Sequence, residues 1–175
     1  MEGVGGYTAY QVTKAIFVTN LVIRNRCYMV DDPLHWYSMA AYVARAQPGH
    51  LLCAGLGLGL AVWHALKRLD LTKITVVEIE PDVIGLVSPH LPNDPRLEIV
   101  QADFYAYRPD DPPDTVLWDL AVGNPDATFP QMVRGVGYME LVYPSSLNMC
   151  FGSKFFLGLP VISTECLPGE LMGGV

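Results

Sequence analysis

Three features of this sequence carry chemical information, and each lies where a short apolar run ends. The first is Gly55-Leu56-Gly57-Leu58-Gly59, directly after the apolar residues 51–54. Glycines there let a backbone approach a ligand closely and turn sharply into a following helix. The second is Glu78, near the end of the next run, where a carboxylate accepts hydrogen bonds from both hydroxyls of a ribose. The third is Asp103, after the third run and placed to face an adenine amino group, with Phe104 beside it. Each feature alone is explained by a tight turn or a solvated strand end. Together, at the ends of three consecutive strands, they mark the sheet edge where α/β folds bind their ligands.

The glycine spacing narrows the ligand. A dinucleotide fingerprint, G-x-G-x-x-G or G-x-G-x-x-A, wants a small residue at its sixth place. Here that place is Leu60, and glycine comes one step early, at Gly59. A bulky residue at the helix-packing position argues against NAD. No Lys-Ser or Lys-Thr follows the glycines, which argues against a phosphate-binding P-loop.

The elements that must position these residues follow from hydrophobic periodicity. Residues 51–54, 73–79, 97–101 and 115–122 read as continuous apolar strands, and 60–69 and 81–87 as helices between them. Such alternation predicts a Rossmann-like α/β fold, with a mainly parallel sheet and helices on both faces. The segment joining the third and fourth strands contains Pro109, Pro112 and Pro113 and is expected to be irregular. Ahead of this core, residues 15–23 and 27–30 flank Asn25 and predict an N-terminal β-hairpin. Asp31-Asp32-Pro33 then opens a helix that Pro48-Gly49 closes. Beyond residue 126 a short helix over 131–141, weakened by Gly135 and Gly137, precedes further strands at 147–151 and 154–164. The expected organisation is one domain over 1–175. It comprises a hairpin and helix to 48, a cofactor-binding core over 49–126 and a shortened C-terminal completion of the sheet over 127–175.

With those elements in place the core resembles the class I S-adenosylmethionine-dependent methyltransferases. "LLCAGLGLG" resembles their glycine-rich motif, "ITVVEIEPDVI" their second strand with its ribose-binding acid, and "RLEIVQADF" their third-strand motif. The resemblance implies S-adenosylmethionine as cofactor, held by Gly55, Gly57, Gly59, Glu78, Asp103 and Phe104. "WDLAVGNPDATF" is similar to the D-x-x-x-x-N-P-P-Y stretch of members that methylate amino nitrogens. There Asn124 would hold the acceptor amine, with Asp126 in place of the second proline and Ala127 in place of the aromatic residue. "LVIRNRCYMVDDPLHWYSMAAYV" is loosely similar to the hairpin and helix of spermidine synthases, whose catalytic acid after the fourth strand would fall on Asn124. Asparagine cannot act as a base, so Asp126 would have to stand in for it. Three readings are open: a methyltransferase acting on a small-molecule or protein amine, an aminopropyltransferase, and a cofactor-binding protein without transfer activity.

Bulk properties exclude other classes. Eighteen acidic against eleven basic residues give a net charge of −7, with no cluster of Lys and Arg, which disfavours nucleic acid as a partner. No run of apolar residues is long enough to span a membrane, and the first residues lack a basic start leading into an apolar stretch. A cytoplasmic location is expected. Cys27, Cys53, Cys150 and Cys166 are far apart, which reads as reduced thiols rather than a metal site. The four histidines are scattered, and His35 with Tyr37 is placed to line the cofactor pocket. An apolar sheet edge left by the short C-terminal part would be covered by a second copy of the chain.

Overall fold

The computed structural model describes residues 19–23, 25–31, 33–120 and 125–151. Its centre is a five-stranded parallel sheet in the order β5-β4-β3-β6-β7. β3 (Gly49–Ala54), β4 (Leu71–Glu78) and β5 (Leu97–Gln101) step outward in one direction. The chain then returns to the other side of β3 with β6 (Thr115–Trp118) and β7 (Leu147–Cys150). The order reverses between β3 and β6, and that reversal opens a crevice at the carboxyl ends of these two strands. Their register brings the ends level: Ala54 pairs with Val77 on one side and with Trp118 on the other.

Side chains alternate across each strand, so the sheet buries both faces. Leu51 and Cys53 of β3, Ile74 and Val76 of β4 and Leu117 of β6 share one core with α1 (Pro33–Ala44), α2 (Leu60–Leu66) and α3 (Pro81–Val87). Leu52, Ala54, Val77, Val116 and Trp118 face the other core, with Phe104 and with Met132 and Met139 of α4 (Pro125–Val142). This two-faced burial is why the strands read as unbroken apolar runs. In front of the sheet, β1 (Asn20–Ile23) and β2 (Arg26–Val30) form the expected antiparallel hairpin, with Asn25 at φ 60° in its turn. Proline at the start of α3 and Asp82 in its first turn set that helix where the sequence places it.

The end of the sheet remote from the crevice is tied by two arginines. Arg68 donates to the carbonyls of Val43 and Ala46, at 2.7 Å each, and pairs with Asp70. Arg96 donates to the carbonyls of Leu66, Arg68 and Leu71 and pairs with Asp94. Carbonyls at the ends of α1 and α2 that have no partner inside their helices are satisfied in this way. Arg68 and Arg96 also explain why α2 stops at Leu66, before the expected 69.

Two other boundaries differ from expectation. β6 ends at Trp118 rather than at 122, so Asp119 and Leu120 lie beyond the strand. α4 has 18 residues, from Pro125 to Val142, where the sequence predicts a short helix. Its glycine at 135 is a packing notch: a Cβ there would lie 2.5 Å from the Trp118 ring. Gly137, by contrast, meets nothing within 4 Å. The expected strand over 154–164 lies outside the described residues.

The two glycines of α4 should therefore respond in opposite senses. Gly135→Ala forces a methyl group into the Trp118 ring and should cost about 1–3 kcal/mol of unfolding free energy. Gly137→Ala gains helix propensity at an open site and should add about 0.5–1 kcal/mol. Urea denaturation of both variants measures the difference, and a matching response would contradict the notch.

Candidate functional site

Backbone hydrogen bonds carry the strand ladder one step past the strand ends. Gly55 N–H donates to the Val77 carbonyl at 2.9 Å, and Asp119 N–H to the Ala54 carbonyl at 3.0 Å. Ala102 N–H donates to the Glu78 carbonyl at 3.0 Å. These bonds fix the starts of three loops side by side at the crevice. Gly55 adopts φ 95°, and a Cβ on it would lie 2.7 Å from the Asp119 carbonyl oxygen. Gly57 adopts φ 51°, and a Cβ there would meet the Met29 sulfur at 2.5 Å. Only glycine suits both places. Gly59 caps the start of α2 with no side-chain hydrogen bond of its own. Glycine thus lets the loop backbone pack directly on its neighbours, the Asp119 carbonyl at Gly55 and the Met29 sulfur at Gly57, beside the switch point.

Glu78 does more here than the sequence shows. It is only 7% exposed, yet it carries a carboxylate. One oxygen accepts the Leu56 N–H at 2.9 Å and the other accepts the Glu80 N–H at 2.9 Å. A carboxylate offers about four lone-pair sites, so acceptor capacity is left for ribose hydroxyls. Asp103 is exposed after β5, and its Oδ1 accepts the Tyr105 N–H at 2.9 Å, which holds the loop in a turn. Phe104, expected beside the adenine, is 2% exposed and packs its ring in the α4-side core against Tyr105, Tyr138 and Tyr143, which leaves its backbone next to Asp103 in the turn after β5.

The hairpin closes on the loop through sulfur. Leu58 N–H donates to the Met29 thioether at 3.1 Å. His35 is stacked on Phe151 at 4.8 Å, which gives it a packing role, and Tyr37 is half-buried. Asn124 lies outside the described residues. Asp126 falls in the first turn of α4.

One residue of the site was missed by the sequence reading. Asp119 is the first residue past β6, beside the Gly55 backbone, and is half-buried. Among the described residues no hydrogen bond or ion pair reaches its carboxyl, and burial alone pushes it up to about 7. The acid immediately after the fourth strand is thus Asp119, five residues before Asn124. Its signal was present in the sequence: it is the first charged side chain after the run Thr115-Val116-Leu117-Trp118. The apolar residues that follow it hid the strand end. Its charge also reaches the flanking thiols. Cys53 and Cys150 are each pushed up to about 12, first by burial and then by Asp119, which makes them poor nucleophiles.

Among the described residues no cluster of His, Cys, Asp and Glu could hold a metal ion, and no helix is long and apolar enough to cross a membrane.

No family model and no curated protein matches this sequence. Solved structures share its fold. A spermidine synthase in complex with the transition state analogue AdoDATO is similar over 70% of this chain and 43% of that one, at 20% identity and a TM-score of 0.52. Spermidine synthase from Thermotoga maritima is similar over 70% of this chain and 44% of that one, at 18% identity and a TM-score of 0.50. The Trypanosoma brucei PRMT1 enzyme-prozyme heterotetrameric complex with AdoHcy is similar over 65% of this chain and 38% of that one, at 15% identity and a TM-score of 0.51. The chain spans less than half the length of each. It has a class I S-adenosylmethionine-dependent methyltransferase-like fold.

The double duty of Glu78 is testable. Glu78→Ala leaves the Leu56 N–H without an acceptor and should lower stability by about 1–3 kcal/mol, the cost of an unsatisfied buried donor. Glu78→Gln keeps an acceptor for Leu56 and should retain most of that stability. Thermal unfolding of the two variants decides the matter, and equal stability of Ala and Gln would count against the loop-holding role.

Proposed function

We propose that this chain is an S-adenosylmethionine-dependent transferase acting on an amine, with methyl transfer to a small-molecule or protein amino nitrogen as the first reading. The observation that carries it is Asp119: an acid whose carboxyl titrates near neutrality, placed beside the glycine loop at the switch point of the sheet. The residues fit the nucleoside. The glycine loop runs tightly past the strand end, Glu78 offers preset acceptors to the ribose, and Asp103 stands at the next strand end, where the adenine would lie. When bound, S-adenosylmethionine supplies a carbon already activated by the sulfonium. The protein's task is then to position the acceptor and free its lone pair. An amine arrives largely as ammonium and must lose a proton before it can attack. Asp119 is suited to take it, because a base works best when its pKa lies near the working pH. Asn124, if it faces the same acceptor, adds a hydrogen bond that strengthens as the nitrogen gains positive charge.

Aminopropyl transfer is the second reading. Two observations favour it: the hairpin that precedes the core, and an acid, rather than asparagine, directly after the fourth strand. A cofactor-binding protein without transfer activity is the reading left if no amine is modified.

Binding and transfer can be separated by one variant. S-adenosylhomocysteine should raise the melting temperature of the wild type, since it binds only the folded state. Asp119→Asn should keep that shift while transfer falls by about 100-fold or more, the usual contribution of a positioned base. Loss of the shift in the wild type would contradict the cofactor assignment. A fully active Asp119→Asn would remove Asp119 from the reaction.

The pH dependence follows from the same group. Wild-type turnover should rise with an apparent pKa near 7 and level off above it, as Asp119 ionises. Stability should run the other way. The folded-state pKa is raised above the unfolded value, so the fold holds the extra proton between the two. The stabilisation is full below the unfolded carboxylate range and is lost as pH climbs through about 7. Asp119→Asn, neutral throughout, should therefore be more stable than the wild type at pH 8 and lose that advantage at pH 4. A constant difference in melting temperature across this range would contradict the burial argument.

A further inference from the structure

A cavity of about 510 Å³ lies between the hairpin and the helix layer. Leu58, from the glycine loop, and Leu60, at the start of α2, form part of its wall. The volume is within the range of small-molecule sites. Its lining is mixed in a specific way. The helix side offers two indoles, Trp36 and Trp63, together with Leu86. The hairpin side offers the carboxylate of Asp31 and the amide of Asn20.

Asp31 is half-buried, and among the described residues the one hydrogen bond to its carboxylate comes from the Thr19 N–H. Among the described residues no cation pairs with it. A carboxylate that is partly desolvated and unpaired favours a cation brought from outside. The indoles favour the same chemistry, because a ring face attracts a cation within about 6 Å of its centre. Trp36 already does so, with the Lys67 ammonium 5.7 Å from its ring centre. Trp63 is 36% exposed, with no ammonium or guanidinium over its ring among the described residues. Val22 and Leu86, 52% and 58% exposed on the rim, give an apolar body of the ligand somewhere to rest.

We propose that this cavity is a second ligand site, separate from the transfer site, that binds an organic monocation: a quaternary or protonated amine carrying an apolar or aromatic group. The ammonium lies between Asp31 and the Trp63 ring, and the apolar part packs on Leu86 and Leu60. The site stands whether or not the chain transfers a methyl group, since its charged and aromatic groups, Asp31 and Trp63, lie outside the glycine loop and are neither Glu78 nor Asp119; Leu58 is the one loop residue in its wall.

The test is calorimetric titration of the full chain with benzyltrimethylammonium at constant ionic strength, with benzyl alcohol as the uncharged probe. The expected result is one-to-one binding of the cation alone, unchanged by saturating S-adenosylhomocysteine. Asp31→Asn keeps an acceptor for the Thr19 N–H and removes the charge, so it should fold normally and weaken binding roughly tenfold. Trp63→Leu alters a side chain already open to solvent and should weaken it similarly. Equal binding of benzyl alcohol, displacement of the cation by S-adenosylhomocysteine, or full affinity in Asp31→Asn would each overturn the proposal. So would the absence of any heat up to about 10 mM, where a millimolar site would be well populated.

Discussion

The carboxylate of Glu78 is the contact on which the site depends. A charged group that is nearly buried is costly unless its lone pairs are satisfied. Here the donors come from the backbone, Leu56 N–H on one side and Glu80 N–H on the other. One side chain therefore fixes two loops: the glycine loop after β3 and the entry to α3 after β4. The parallel register of β3 against β4 makes this reachable, since it sets Ala54 level with Val77. On the other side of β3 the same geometry sets Asp119 against the Gly55 backbone. The crevice is thus a consequence of register, with glycine used at Gly55 and Gly57, where a side chain would collide with a neighbour.

Asp119 shows the opposite arrangement. Glu78 is buried and well supplied with donors, whereas no hydrogen bond reaches the Asp119 carboxyl among the described residues. Burial then acts unopposed and favours the protonated form. Two acids at the ends of adjoining strand pairs are set apart by their surroundings: Glu78 accepts two backbone donors and braces two loops, whereas burial pushes the Asp119 carboxyl up to about 7, which suits it to the proton exchange proposed for it. Separation of acid functions by environment is a recurrent feature of catalytic sites. The cost falls on stability, because a carboxylate tuned in this way weakens the fold once it ionises.

Much of the architecture was legible because the central strands β3, β4 and β6 are buried on both faces. Residues 97–101 and 81–87 were read with the boundaries the structure shows, and Asn25 was read as the hairpin turn. The misreadings have physical reasons. α4 was shortened because Pro130, Gly135 and Gly137 are poor helix formers, and local propensity says nothing of the Trp118 ring that Gly135 accommodates. β6 was lengthened because apolar residues continue past its end, which hid Asp119. Gly55, Gly57 and Glu78 were legible as features of the strand ends, and the structure sets them side by side there. The hydrogen bond from the Leu56 N–H that ties Glu78 to the glycine loop joins positions 22 apart and leaves no local pattern.

The central claim is that one crevice, between the ends of β3 and β6, receives the adenosyl group. Titration of the isotopically labelled chain with S-adenosylhomocysteine, followed by amide chemical shifts, tests it most directly. The account predicts shifts concentrated at Gly55, Leu56, Gly57, Asp103 and Asp119, with the Met29 region of the hairpin moving with them. Saturating ligand that leaves these amides in place, or that shifts only residues around Trp63 and Leu86, would contradict it.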